Sequence, residues 1–131
     1  MSKQQGIEQG RAAYAYKCVE NAVENGKVTE SDYKAYTRNI PMMIKTNGLG
    51  AALAFVKAKG SSNAAYKLLY EQIYEWLKSP EGDKLGIFKN TKKDLIAVVI
   101  EQDSQKYRFS TLETLALLAW MKRFAEGLID K

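Results

Sequence analysis

Apolar side chains recur at intervals of three and four along almost the whole chain, and no stretch keeps a strict alternation. That spacing is the period of the helix, so the sequence predicts an all-α fold: one compact bundle of five to six helices over residues 1–131. The length agrees, because a chain of 131 residues supplies one core and not two. No apolar run is long enough to cross a membrane. The opening residues after Met1 lack the apolar stretch of a secretory signal, and Cys18 has no second cysteine to pair with, so a cytoplasmic location is expected.

The first helix is expected from about residue 3 to 25, where Asn25-Gly26 stops it. Ile7, Tyr14, Cys18, Val19 and Ala22 share one side, and Arg11 lies inside that stripe. Arg11 is either paired with a carboxylate inside the bundle or a phosphate contact, since an unpaired buried guanidinium is costly. Thr29-Glu30-Ser31-Asp32 has the form of a capping box for a second helix, which buries Tyr33, Tyr36, Ile40, Met43 and Ile44. Pro41 either sits in a continuous helix or restarts it. Gly48-Leu49-Gly50 opens a third helix; with no preceding strand and no Gly-Lys-Ser it is not read as a phosphate loop. Its small residues Gly50, Ala51, Ala54 and Ala58 predict close helix approach and an interior position.

The fourth helix, Ala64 to about Lys78, buries Tyr66, Leu69, Tyr70, Ile73, Trp76 and Leu77, leaving Lys67, Glu71, Glu75 and Lys78 to solvent. Lys84 to Asn90 follows no period. Thr91-Lys92-Lys93-Asp94 resembles a second capping box before a short apolar helix, although its β-branched run also fits a strand. The last helix, capped by Asp103 or Ser104 and running to about Glu126, is apolar on two sides. Leu117, Leu118, Met121, Phe124, Ala125 and Leu128 form one arc; Leu112, Leu115 and Ala119, with Trp120 at the edge, form another. Such a helix is either central or partly covered by a partner, and the second arc is the candidate protein interface.

Catalytic chemistry has little to work with. The chain has no histidine and one cysteine, which removes imidazole and thiolate metal sites and the usual nucleophile pairs. Glu71 and Glu75 are the best carboxylates for a metal, yet Lys67 and Lys78 on the same face explain them as ordinary helix-surface pairs. No catalytic residue, metal or cofactor is expected. A helix-turn-helix DNA reader would need exposed Arg, Asn or Gln at the start of a recognition helix, and no helix has that cluster.

Charge is unevenly placed. The net charge is +5, and from Tyr33 to Tyr70 there is no acidic residue while Lys34, Arg38, Lys45, Lys57, Lys59 and Lys67 all fall there. The remaining chain holds 14 basic and 15 acidic residues, so this segment supplies the whole cationic excess. It suggests a polyanion partner, usually nucleic acid, with Lys34, Arg38 and Lys45 as first choices and Lys57, Lys59 and Lys67 after them; the alternative is a solvated helical face in a basic protein.

Asn39-Ile40-Pro41-Met42-Met43-Ile44-Lys45-Thr46-Asn47-Gly48-Leu49-Gly50, continuing through Ala51-Ala52-Leu53-Ala54-Phe55, resembles the central motif of the small subunit family of type III-B CRISPR effector complexes, the fifth Cmr protein. Arg11-Ala12-Ala13-Tyr14 and the stretch from Leu115 to Gly127 resemble it too, so the likeness spans nearly the whole chain. The resemblance implies a non-catalytic helical subunit of an antiviral ribonucleoprotein. Such subunits stack as a short filament beside guide RNA and target RNA, touching other Cmr subunits, while cleavage belongs to other components. A purely protein–protein scaffold without RNA contact is the alternative.

Overall fold

The computed structural model describes residues 3–131, with side chains described from residue 6 onward. Six helices follow one another: α1 (Lys3–Glu24), α2 (Glu30–Asn47), α3 (Leu49–Gly60), α4 (Ala64–Lys78), α5 (Leu95–Glu101) and α6 (Ser104–Leu128). No strand occurs among the described residues, so the β-branched run at α5 takes the helical alternative. α6 is the spine, packed against α1 along one flank and α2 along the other; α4 and the short α5 also touch it.

Each helix turns its expected apolar face inward. Tyr33, Ile40 and Ile44 of α2, Leu69, Ile73 and Trp76 of α4, and Leu117, Leu118 and Met121 of α6 enter one buried cluster with Ala15, Val19 and Ala22 of α1. Burying a Leu or Ile side chain contributes roughly 1.5–3 kcal/mol, so this cluster dominates the stability of the bundle. A polar thread runs through it. Gln72 accepts from the Tyr33 hydroxyl at 2.7 Å and donates to the Cys18 carbonyl at 2.9 Å, while its own backbone carbonyl accepts from Tyr14 at 2.6 Å. Burial pushes the Cys18 thiol up to about 12, which keeps it protonated and inert.

Some local expectations need correction. α2 is continuous through Pro41, with Thr37, four residues earlier, buried and its hydroxyl turned back onto the Lys34 carbonyl. Thr29 stands at the N-cap of α2 but its side chain makes no capping bond. The Thr91–Asp94 box is not formed either: α5 starts only at Leu95, Thr91 accepts from the Lys93 amide, and Asp94 is drawn to side chains of α3 and α4. Of the small-residue arc of α3 only Gly50 is buried, closely approached by Ile100 and Tyr107; Ala51, Ala54 and Ala58 are exposed while Leu49, Leu53 and Val56 face the core. Alanines bury too little area to compete with that aliphatic arc for the inward position.

Two glycines are dictated by geometry. Gly48 joins α2 to α3 at φ +91°, a left-handed backbone that side chains resist. At Gly82 a β-carbon would stand 2.1 Å from the Trp76 carbonyl oxygen, so only glycine lets the chain after α4 fold back against that helix.

Candidate nucleic-acid interface

A continuous α2 places its cations in register. At about 100° per residue, Lys34, Arg38 and Lys45 fall within about 40° of one another and span about 16 Å of helix. Arg38 and Lys45 are exposed. Lys34 is half-buried, its ammonium donating to the Ile129 carbonyl at 3.0 Å, just past the end of α6. Glu30, one turn earlier, meets Lys131 at 2.8 Å. Both contacts set α6 beside this edge of α2, and the Gly50 amide donating to the Tyr107 hydroxyl joins the other ends of the pair, so the two helices run antiparallel.

The predicted interface residues lie on the outer side of that same α6. Leu112 is 55% exposed and Ala119 is exposed; Leu115 is half-buried and packed against the core. Trp120 turns toward α1 instead: its indole donates to Glu8 at 2.6 Å, it stacks on Phe124, and Arg123 lies over its ring. α6 is thus central on three sides and open on the fourth. The same outward arc brings Arg108, Lys122 and Arg123 to solvent, with Glu126 as its carboxylate. Counting charge along the chain does not bring these three cations together, because their segment also holds acidic residues. The helical phase of Leu112 and Ala119 carried the signal, since Arg108 and Lys122 share it.

The other three cations of the acid-free segment lie elsewhere. Lys57 pairs with Asp94 at 2.7 Å and lies over the Tyr70 ring. Burial would raise the Asp94 carboxyl, but hydrogen bonds from Lys57 and Tyr70 outweigh it and hold Asp94 below the usual carboxylate range. Lys67 is exposed and lines, with Lys57, Glu71, Glu75 and Asp94, a cleft of about 490 Å³ between α3, α4 and the end of the α4–α5 connection. Lys59 rests over Phe55. Acidic residues that are absent from the segment in sequence therefore return to it in space at this cleft, while on α2 they are confined to its first turn, at Glu30 and Asp32, before Arg38 and Lys45.

Arg11 belongs to the interior. Its guanidinium donates to both Glu113 oxygens, at 2.8 and 3.0 Å, and to Glu8 at 2.6 Å, while the Trp76 indole donates to Glu113 at 2.9 Å. Burial would raise the Glu113 carboxyl; the hydrogen bonds from Arg11 and Trp76 win and hold it below the ordinary range. The structural alternative for Arg11 is the one realised. No group of three or more metal-ligating side chains gathers among the described residues, and Glu75 pairs with Lys78 as a surface ion pair. No helix among those residues is long and apolar enough to cross a membrane.

Known proteins resemble the chain over this whole architecture. The sequence profile of the family described as CRISPR-associated protein (Cas_Cmr5) matches residues 7–128. The CRISPR system Cmr subunit Cmr5 of Thermus thermophilus is 28% identical over 119 residues, covering 90% of this chain and 94% of that protein. The crystal structure of a CRISPR-associated Cmr5 family protein, also from Thermus thermophilus, superposes with a TM-score of 0.76 at 26% identity, covering 99% of this chain and 100% of the other.

Proposed function

Because the chain belongs to the Cmr5 family of CRISPR-associated proteins, we propose that it is the non-catalytic small subunit of a Cmr effector complex in antiviral defence, laid against guide RNA and target RNA with copies of itself and other Cmr subunits as neighbours. The observation that carries the RNA contact is the unbroken α2, which holds Lys34, Arg38 and Lys45 on one edge with no carboxylate paired to Arg38 or Lys45 among the described residues. Phosphates accept such charges without sequence reading, and α6, which packs against α2, adds the exposed Arg108 and Lys122. Lys57, Lys59 and Lys67 serve as secondary contacts around the α3–α4 cleft, Lys57 only after leaving Asp94.

Replacing Lys34, Arg38 and Lys45 together with Glu lowers RNA retention by the assembled complex, and the difference from the parent is largest at low salt. Parental retention in a gel-shift salt series would remove the phosphate role. A second reading, the scaffold without RNA contact, draws on the exposure of Leu112 and Ala119 beside the same cations. Under it, Leu112→Glu blocks incorporation into the complex, and the free chain shows no salt-dependent RNA binding.

A further inference from the structure

The connection between α4 and α5 is sixteen residues long and has no helix or strand of its own. Loops beyond roughly 12–15 residues are uncommon in compact domains and tend to carry function. This one is held firmly. The Asp83 carboxylate accepts from the Ile87 and Phe88 amides at 2.7 and 3.0 Å, Phe88 is buried against Tyr74, and the Tyr74 hydroxyl donates to the Lys93 carbonyl. Between Asp83 and Asp94 the sequence has four lysines and no acid, a denser run of cations than anywhere in Tyr33–Tyr70.

Most nearby carboxylates are already engaged; Glu81 of the same loop is exposed and has no ion-pair partner among the described residues. Asp83 serves backbone amides, Asp94 holds Lys57, Glu75 holds Lys78, Glu101 holds Lys93, and Glu113 holds Arg11 with Lys84 at 3.5 Å. Lys89 and Lys92 are exposed and have no carboxylate partner among the described residues. The start of the loop, at Gly82 and Lys84, packs on Trp76 and Glu113, while its end, at Lys93 and Asp94, is held by Tyr74 of α4, Glu101 of α5 and Lys57 of α3; the α2 cations Lys34, Arg38 and Lys45 make none of these contacts.

We propose that this loop is a second phosphate-binding surface, through which Lys89 and Lys92 contact a nucleic-acid backbone with residues outside α2. The residue type favours a polyphosphate over an acidic protein. Lysine is a hydrated point charge suited to sequence-indifferent phosphate contact, and it is depleted in protein–protein interfaces. With two such surfaces one subunit can touch two backbone segments at once. The inference stands without the α2 reading, because it uses none of its residues.

The test measures binding of the whole chain to a mixed-sequence RNA duplex by fluorescence anisotropy across a salt series. Lys89→Glu with Lys92→Glu lowers low-salt affinity on the order of tenfold and flattens the log–log salt slope by about 2; Lys89→Gln with Lys92→Gln changes the slope equally with a smaller affinity loss. Unfolding midpoints stay parental, since neither lysine has a folded-state partner. Parental affinity and slope in both pairs overturn the proposal. So does loss of binding to polyglutamate with RNA binding intact, which would make the loop a protein-docking site, and so does a lowered unfolding midpoint. Arg38→Glu with Lys45→Glu separates the two surfaces: if that pair leaves RNA binding intact while the loop pair removes it, the α2 reading falls and the loop stands.

Discussion

Arg11 and Arg38 carry the same side chain on two successive helices, and the bundle uses them in opposite ways. Arg11 is 8% exposed and fully engaged by Glu113 and Glu8, with Trp76 completing the Glu113 carboxylate. Arg38 stands in solvent with no ion-pair partner among the described residues. A cation's role is therefore decided by what the fold sets opposite it, and for Arg11 that group comes from 102 positions away. Interior arginine binds the bundle to itself; the exposed one is left for another molecule.

The sharpest way to break that contrast is Glu113→Ala. Removing the carboxylate leaves Arg11 with Glu8 alone and the Trp76 indole without an acceptor, and costs about 3 kcal/mol in denaturant unfolding. A loss under about 1 kcal/mol would place Arg11 with the surface charges. Next in size is the acid limb. Because the folded Glu113 carboxyl titrates below its unfolded counterpart, its contribution is fully present above the unfolded value of about 4.3 and disappears as pH falls through the lower folded value. Glu113→Gln should flatten the stability–pH curve in that window by up to about 1.4 kcal/mol per pH unit, while Arg38→Ala leaves its shape unchanged.

Asp94→Asn sharpens the comparison from the other direction, because it turns a paired cation into a free one. Exposed as the pair is, stability falls by about 1 kcal/mol or less, but Lys57 is released and the RNA-binding salt slope steepens by about 0.9. An unchanged slope would show that the α3–α4 cleft faces no phosphate. The smallest effect belongs to Arg38→Ala, with stability within about 0.5 kcal/mol of the parent and a salt slope shallower by about 0.9.

Helical order and most of the core were legible because apolar period survives into burial. Trp76, Leu69 and Ile73 of α4, and Leu117, Leu118 and Met121 of α6, face where their spacing directs them. Caps were less legible. Asn63 and Asp103 do cap, accepting from the Tyr66 and Lys106 amides, yet Thr91 and Asp94 have the right letters and are claimed by the Lys93 amide and by Lys57 and Tyr70. Local patterns compete with distant partners, and nothing in Thr91-Lys92-Lys93-Asp94 names α3. The acid-free segment was visible as a run, but its division between an α2 edge and a carboxylate-lined cleft depends on where Asp94 and Glu71 land in space. The continuity of α2 through Pro41, which decides whether three cations align, lay open in the sequence for the same reason: Ile40 and Ile44 on either side must both be held by the core, and they are.

The bond between Arg11 and Glu113 also sets a timetable. A ribosome delivers the first helix early and the last helix at the very end, yet these two lie against each other along much of their length. Until synthesis is nearly complete, the inward side of the leading segment is covered only in part, by α2 and by α4 through Gln72 and Trp76, and its guanidinium has Glu8 but not Glu113. The molecule must close by its final helix, as a clasp closes a necklace, so nascent chains truncated before Glu113 should be the species that chaperones capture.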